Sequence, residues 1–75
     1  SNPLGRQRKS AEAVITRNEA ALQNARAQNL KTQADLKRVQ ELTADGSLSI
    51  RERDSARASA AQGTADIEQA KATLE

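Results

Sequence analysis

Large apolar residues are sparse along this chain, and half of the twelve fall on rows that repeat every seven positions. Ile15, Leu22, Asn29 and Leu36 share one heptad position, and Asn18, Ala25, Thr32 and Val39 share a second. Together they form one stripe along a helix. Further on, Arg53, Ala60, Ile67 and Leu74 form one row, with Ala56, Gly63 and Ala70 beside it. Between the two runs stands Ala44-Asp45-Gly46-Ser47, where Gly46 suits a left-handed helix end. Residues 11–44 hold no Gly or Pro and are rich in helix formers, and 50–75 form a second helical run. Ser49-Ile50-Arg51-Glu52 opens that run as a capping box, with the Ser49 hydroxyl accepting from the Glu52 N–H and the carboxylate reaching back. The pattern predicts an N-terminal arm or expression remnant over 1–10, a helix over 11–44, a turn over 45–48 and a helix over 49–75.

Folding the second run back on the first aligns the two stripes. The pairs are Asn18 with Leu74, Leu22 with Ala70, Ala25 with Ile67, Asn29 with Gly63, Thr32 with Ala60, Leu36 with Ala56, and Val39 with Arg53. Every pair is equidistant from position 46, the glycine assigned to the turn on chemical grounds. Bulky residues mostly meet small ones, so the helices can approach closely. The fold class is therefore all-α, an antiparallel two-helix coiled-coil hairpin about 45–50 Å long. The polar layer of Asn29 and Gly63 reads as a specificity or flexibility device. Glu19 and Lys71 flank the seam as an expected surface ion pair. Residues 1–16 find no partner on the second helix, the arrangement expected of a hairpin inserted in a larger domain.

Composition narrows the function. Fifteen of the apolar residues are alanine and twelve are large aliphatics, too few for a self-sufficient globule. With no Cys or His, thiol chemistry, the usual general base and the commonest metal ligands are lacking. Carboxylates scattered along solvated helix faces have no cavity to tune them, so the chain reads as no enzyme and requires no cofactor. The net charge of +2 resides in Arg6, Arg8 and Lys9; the rest carries nine basic residues against ten acidic ones. With no aromatic residue and no basic stripe past residue 10, nucleic acid is not the expected partner.

Two further features lie off the seam. Ala13, Ala20, Ala27 and Ala34 recur every seven residues on the outer side of the first helix, and Ala58, Ala65 and Ala72 do so on the second. Alanine is the best helix former, and these stripes also let neighbouring helices pack closely. Around the turn, Arg38, Leu42 and Ser49 read R-x3-L-x6-S. Arg38 and Leu42 lie one helical turn apart and share a face.

The stretch Ala34-Asp35-Leu36-Lys37-Arg38, through Leu42, Gly46 and Ser47-Leu48-Ser49 to Arg53-Asp54-Ser55-Ala56, resembles the α-helical hairpin of membrane fusion proteins. These are the periplasmic adaptors of tripartite efflux pumps and type I secretion systems. The resemblance implies a hairpin in the periplasm, anchored to the inner membrane in the full-length protein. It implies that Arg38, Leu42 and Ser49 at the tip engage a TolC-like outer-membrane channel. It further implies a homo-oligomer, a hexamer in the full protein, and an inner-membrane transporter, ABC or proton-coupled, bound through domains outside these residues. The alternative is a generic structural coiled coil that self-associates as a dimeric four-helix bundle without a channel partner.

Overall fold

The computed structural model describes residues 2–75. It contains two helices, α1 (Pro3–Ala44) and α2 (Ile50–Leu74), folded back on one another. The molecule measures 67 × 14 × 13 Å, a rod two helices wide. The antiparallel hairpin expected from the heptads is the observed fold.

The predicted seam is observed except at its open end, where Ile15 and Leu74 are exposed. Leu22, Ala25, Asn29, Thr32, Leu36 and Val39 on α1 are half-buried, as are Arg53, Ala56, Ile67 and Ala70 on α2. Ala60 and Gly63 are the buried residues among those described. The register is fixed directly at Gly63. A Cβ placed there would sit 2.9 Å from Asn29 Oδ1 and 2.9 Å from Thr32 Oγ1. Gly63 therefore faces Asn29, as the pairing about Gly46 requires, and a side chain there would push the helices apart.

The turn follows from hydrogen-bond accounting at the end of α1. The Ser47 N–H donates to the Leu42 carbonyl at 2.8 Å, and the Gly46 N–H donates to the Thr43 carbonyl at 3.1 Å. This pair of bonds is a Schellman motif, which requires a left-handed residue after the cap. Gly46 supplies it, with φ of +85°. The Leu48 N–H also donates to the Leu42 carbonyl, at 3.2 Å, drawing the chain back toward α1. Then α2 starts under its Ser49 cap, whose hydroxyl accepts from the Glu52 N–H at 3.1 Å. The reciprocal half of the capping box is not formed among the described residues.

Two expectations are corrected. First, α1 begins at Pro3 rather than at residue 11, so the residues set apart as an arm continue the helix. Proline is favoured at a first helical position because its missing N–H would have no intrahelical partner there. The added turns bring the rod to 67 Å, beyond the 45–50 Å expected of the paired segment. Past the last residue of α2 the face of α1 is uncovered, and Leu4 and Ile15 are 72% and 53% exposed. Second, Lys71 pairs not with Glu19 but with Glu68 on its own helix, at 3.5 Å. An i,i+3 partner is held in place by the helix itself, whereas the cross-helix partner is not.

Substituting Gly46→Ala forces a Cβ into the left-handed conformation and is expected to destabilise the hairpin by about 1–2 kcal/mol. Denaturant melts of the two proteins, followed by helical circular dichroism, measure the difference.

Candidate docking surface at the hairpin tip

The tip is built by the turn just described. Leu42 occupies the last turn of α1 and is half-buried, together with Thr43 and Leu48. Its carbonyl anchors the turn by accepting from the Ser47 and Leu48 N–H groups, which holds the residue in place. Arg38 lies one turn earlier on the same face and is largely exposed, its side chain 64% accessible. Its guanidinium donates to Asp35 at 3.3 Å, an exposed pair that contributes at most about 1 kcal/mol. Ser49 is exposed and spends its hydroxyl oxygen as the acceptor for the Glu52 N–H, leaving the hydroxyl proton unassigned. Arg38 and Leu42 thus lie on α1, with Ser49 across the turn at the head of α2.

The turn itself is polar and stiff. The Asp45 carboxylate accepts from the Ser47 N–H at 2.9 Å. Hydrogen bonding by Ser47, through its side chain and then its backbone N–H, holds the Asp45 carboxyl below its ordinary range. Thr43 Oγ1 is buried without a hydrogen-bond partner.

On the side of the rod that bears Arg38, an open groove of about 350 Å³ runs between the helices, with Lys31, Asp35 and Arg38 on one wall and Glu52, Ser55 and Ser59 on the other. One wall is mainly basic and the other carries an acid. On the other side, a groove of about 420 Å³ is lined by Gln23, Arg26, Ala27, Leu30, Gln33 and Ile67. Leu30 projects there at 76% exposure, the most exposed large aliphatic of the paired segment. The outer alanines Ala13, Ala20, Ala27, Ala34, Ala58, Ala65 and Ala72 are all exposed, on the two edges of the rod away from the seam.

Sequence reasoning missed Gln33. Its Nε2 donates across the seam to the Ala60 carbonyl at 3.2 Å and along α1 to Asn29 Oδ1 at 3.1 Å. Its position beside the Asn29 layer was the available signal, since a flanking amide can reach a facing carbonyl. The link between Arg38 and Asp35 was also missed, although their i,i+3 spacing announces it.

Among the described residues, no helix is long and apolar enough to cross a membrane. No curated protein and no solved structure matches this chain. A family model does match, over residues 14–75: the alpha-helical hairpin domain of RND membrane fusion proteins. Members of that family are membrane-anchored periplasmic adaptors that partner an outer-membrane channel and an inner-membrane transporter. A two-helix rod closed by a tight turn, matched over nearly all of its paired length, places the chain in the RND membrane fusion protein family, whose alpha-helical hairpin domain it carries.

Proposed function

We propose that this hairpin is the reaching arm of an RND efflux adaptor and that its tip docks onto a TolC-like outer-membrane channel through Arg38, Leu42 and Ser49. The observation that carries this reading is the placement of all three at one end of the rod. Leu42 offers a small apolar surface already fixed by the turn. Arg38 offers a cation whose present partner, Asp35, is exposed and held weakly, so exchanging it for a carboxylate or carbonyl of the channel costs little. Ser49 offers a hydroxyl proton beside them while its oxygen continues to cap α2. The transporter served is of the RND type rather than an ABC transporter, in keeping with the matching family.

The same reading has the adaptors standing side by side in a ring, of six in the full protein. The two outer edges of the rod are matched in height. Ala34 and Ala58, Ala27 and Ala65, and Ala20 and Ala72 are each equidistant from Gly46. A second copy set beside the first without axial shift brings the α1 edge of one against the α2 edge of the other, alanine to alanine. At the tip end of the stripes the same pairing sets Glu41 against Arg51, both exposed and both without an ion-pair partner among the described residues. Within one residue of equal height, Lys37 meets Asp54 and the exposed Leu30 meets Ala61. Because the two edges differ, the contact is heterologous, and repeating it closes a ring when the rotation permits.

Arg38→Asp and Leu42→Asp, each made in the full-length adaptor, are expected to abolish efflux while leaving helicity intact; normal drug or dye efflux by both would sink the docking reading. For the lateral contact, Glu41→Arg is expected to weaken association by about 1 kcal/mol per contact, roughly fivefold. Adding Arg51→Glu is expected to restore it, as read by sedimentation of the full-length protein.

A further inference from the structure

Docking and lateral packing leave one feature of the hairpin unused, the polar layer in the middle of the rod. We propose that this layer is a pivot: the arms leading away from the tip open and close about it, while the tip half of the hairpin stays shut.

Contact between the helices is tightest here. Ala60 is 4% exposed, Gly63 is buried, and the layers to either side are only half-buried. Gly63 lets the backbone of α2 come within reach of Asn29 and Thr32, whose side-chain oxygens would each be 2.9 Å from a Cβ at that site. The side-chain hydrogen bonds that cross between the helices, among the described residues, are also all here. Gln33 Nε2 donates to the Ala60 carbonyl at 3.2 Å and to Thr64 Oγ1 at 3.5 Å. Thr64 Oγ1 donates in turn to the same Ala60 carbonyl at 3.2 Å. Such a contact fixes a separation without fixing an angle. Small residues prevent closer approach, the amide prevents separation, and neither interlocks as a large side chain would to resist tilting.

The two halves on either side differ in what holds them. Toward the tip, Leu36, Val39, Leu42 and Leu48 are half-buried, and the chain itself joins the two helices through the hydrogen-bonded Schellman turn. Away from the tip, Leu22 and Ile67 face alanines, and Leu74, in the last paired layer, is 37% exposed. Less apolar surface is lost when the second half opens, so it opens more readily. The polar layer stands between the halves and stops that opening from travelling to Arg38, Leu42 and Ser49. The pivot does not depend on what the tip binds, so it stands or falls separately from the docking reading.

Distances between nitroxide pairs in the dilute chain test this. One pair, Lys37→Cys with Asp54→Cys, spans the tip half; the other, Gln23→Cys with Glu68→Cys, spans the opening half. Otherwise unchanged, the protein is expected to give a narrow distribution for the first pair and a broad one for the second. Gln33→Leu, which removes the crossing hydrogen bonds, and Gly63→Val, which wedges the layer, are each expected to broaden the tip-half distribution. Circular dichroism confirms that both variants remain helical, and if Gly63→Val does not, Gln33→Leu alone decides. Equal widths for the two pairs in the unchanged layer would overturn the pivot. So would a tip-half distribution that stays narrow in helical Gln33→Leu, because fraying with distance from the turn would then be the whole explanation.

Discussion

Everything in this hairpin depends on how closely two helices with little hydrophobic mass can approach one another. Alanine and glycine at the seam give up side-chain burial and gain proximity. At Gly63 the approach is so close that even a methyl group would meet Asn29 and Thr32 at 2.9 Å. That contact sets the register, and the register sets the rest. It keeps Leu22 opposite Ala70 and Leu36 opposite Ala56, and it matches the alanines of the two outer edges in height. A seam of leucines would give a thicker, more self-sufficient coil. This one gives a thin rod, 14 × 13 Å in section, with small residues inside and outside.

A thin rod is useful for where it places its end. The turn spends its polar groups on itself: Leu42 accepts from Ser47 and Leu48, Asp45 accepts from Ser47, and Ser49 accepts from Glu52. With the backbone satisfied, Leu42 and Arg38 remain as the groups with something to offer a partner, one apolar and fixed, the other charged and loosely held. That division suits recognition of a partner. The family match over residues 14–75 supplies the setting, a periplasmic adaptor between two membranes, and the tip is its proposed point of contact with the channel.

Much of this was legible in the sequence, and the reasons differ by residue. The seam was legible because a period of seven and a glycine-centred symmetry constrain each other, and from Asn18 to Val39 and from Arg53 to Ala70 every stripe residue loses exposure. The turn was legible because a left-handed residue was needed and Gly46 was there. The start of α1 was not. Arg6, Arg8 and Lys9 without an acid resemble a solvated arm, yet they are good helix formers behind a proline that can open a helix. Lys71 was assigned across the seam, but Glu68 on its own helix lies nearer. Gln33 was invisible for another reason. Periodicity identifies what is buried, and a flanking glutamine that reaches a facing carbonyl leaves no mark in it.

The central claim is that both helices of one chain pair with each other about Gly46, rather than with the helices of a second copy. Leu22→Cys with Ala70→Cys tests it most directly, because the two positions face each other in the seam and are equidistant from the turn. Oxidised at high dilution and run without reductant, the double variant is predicted to migrate as a single cross-linked chain. Disulfides that appear only between chains, and vanish on further dilution, would contradict the hairpin and favour a swapped four-helix dimer.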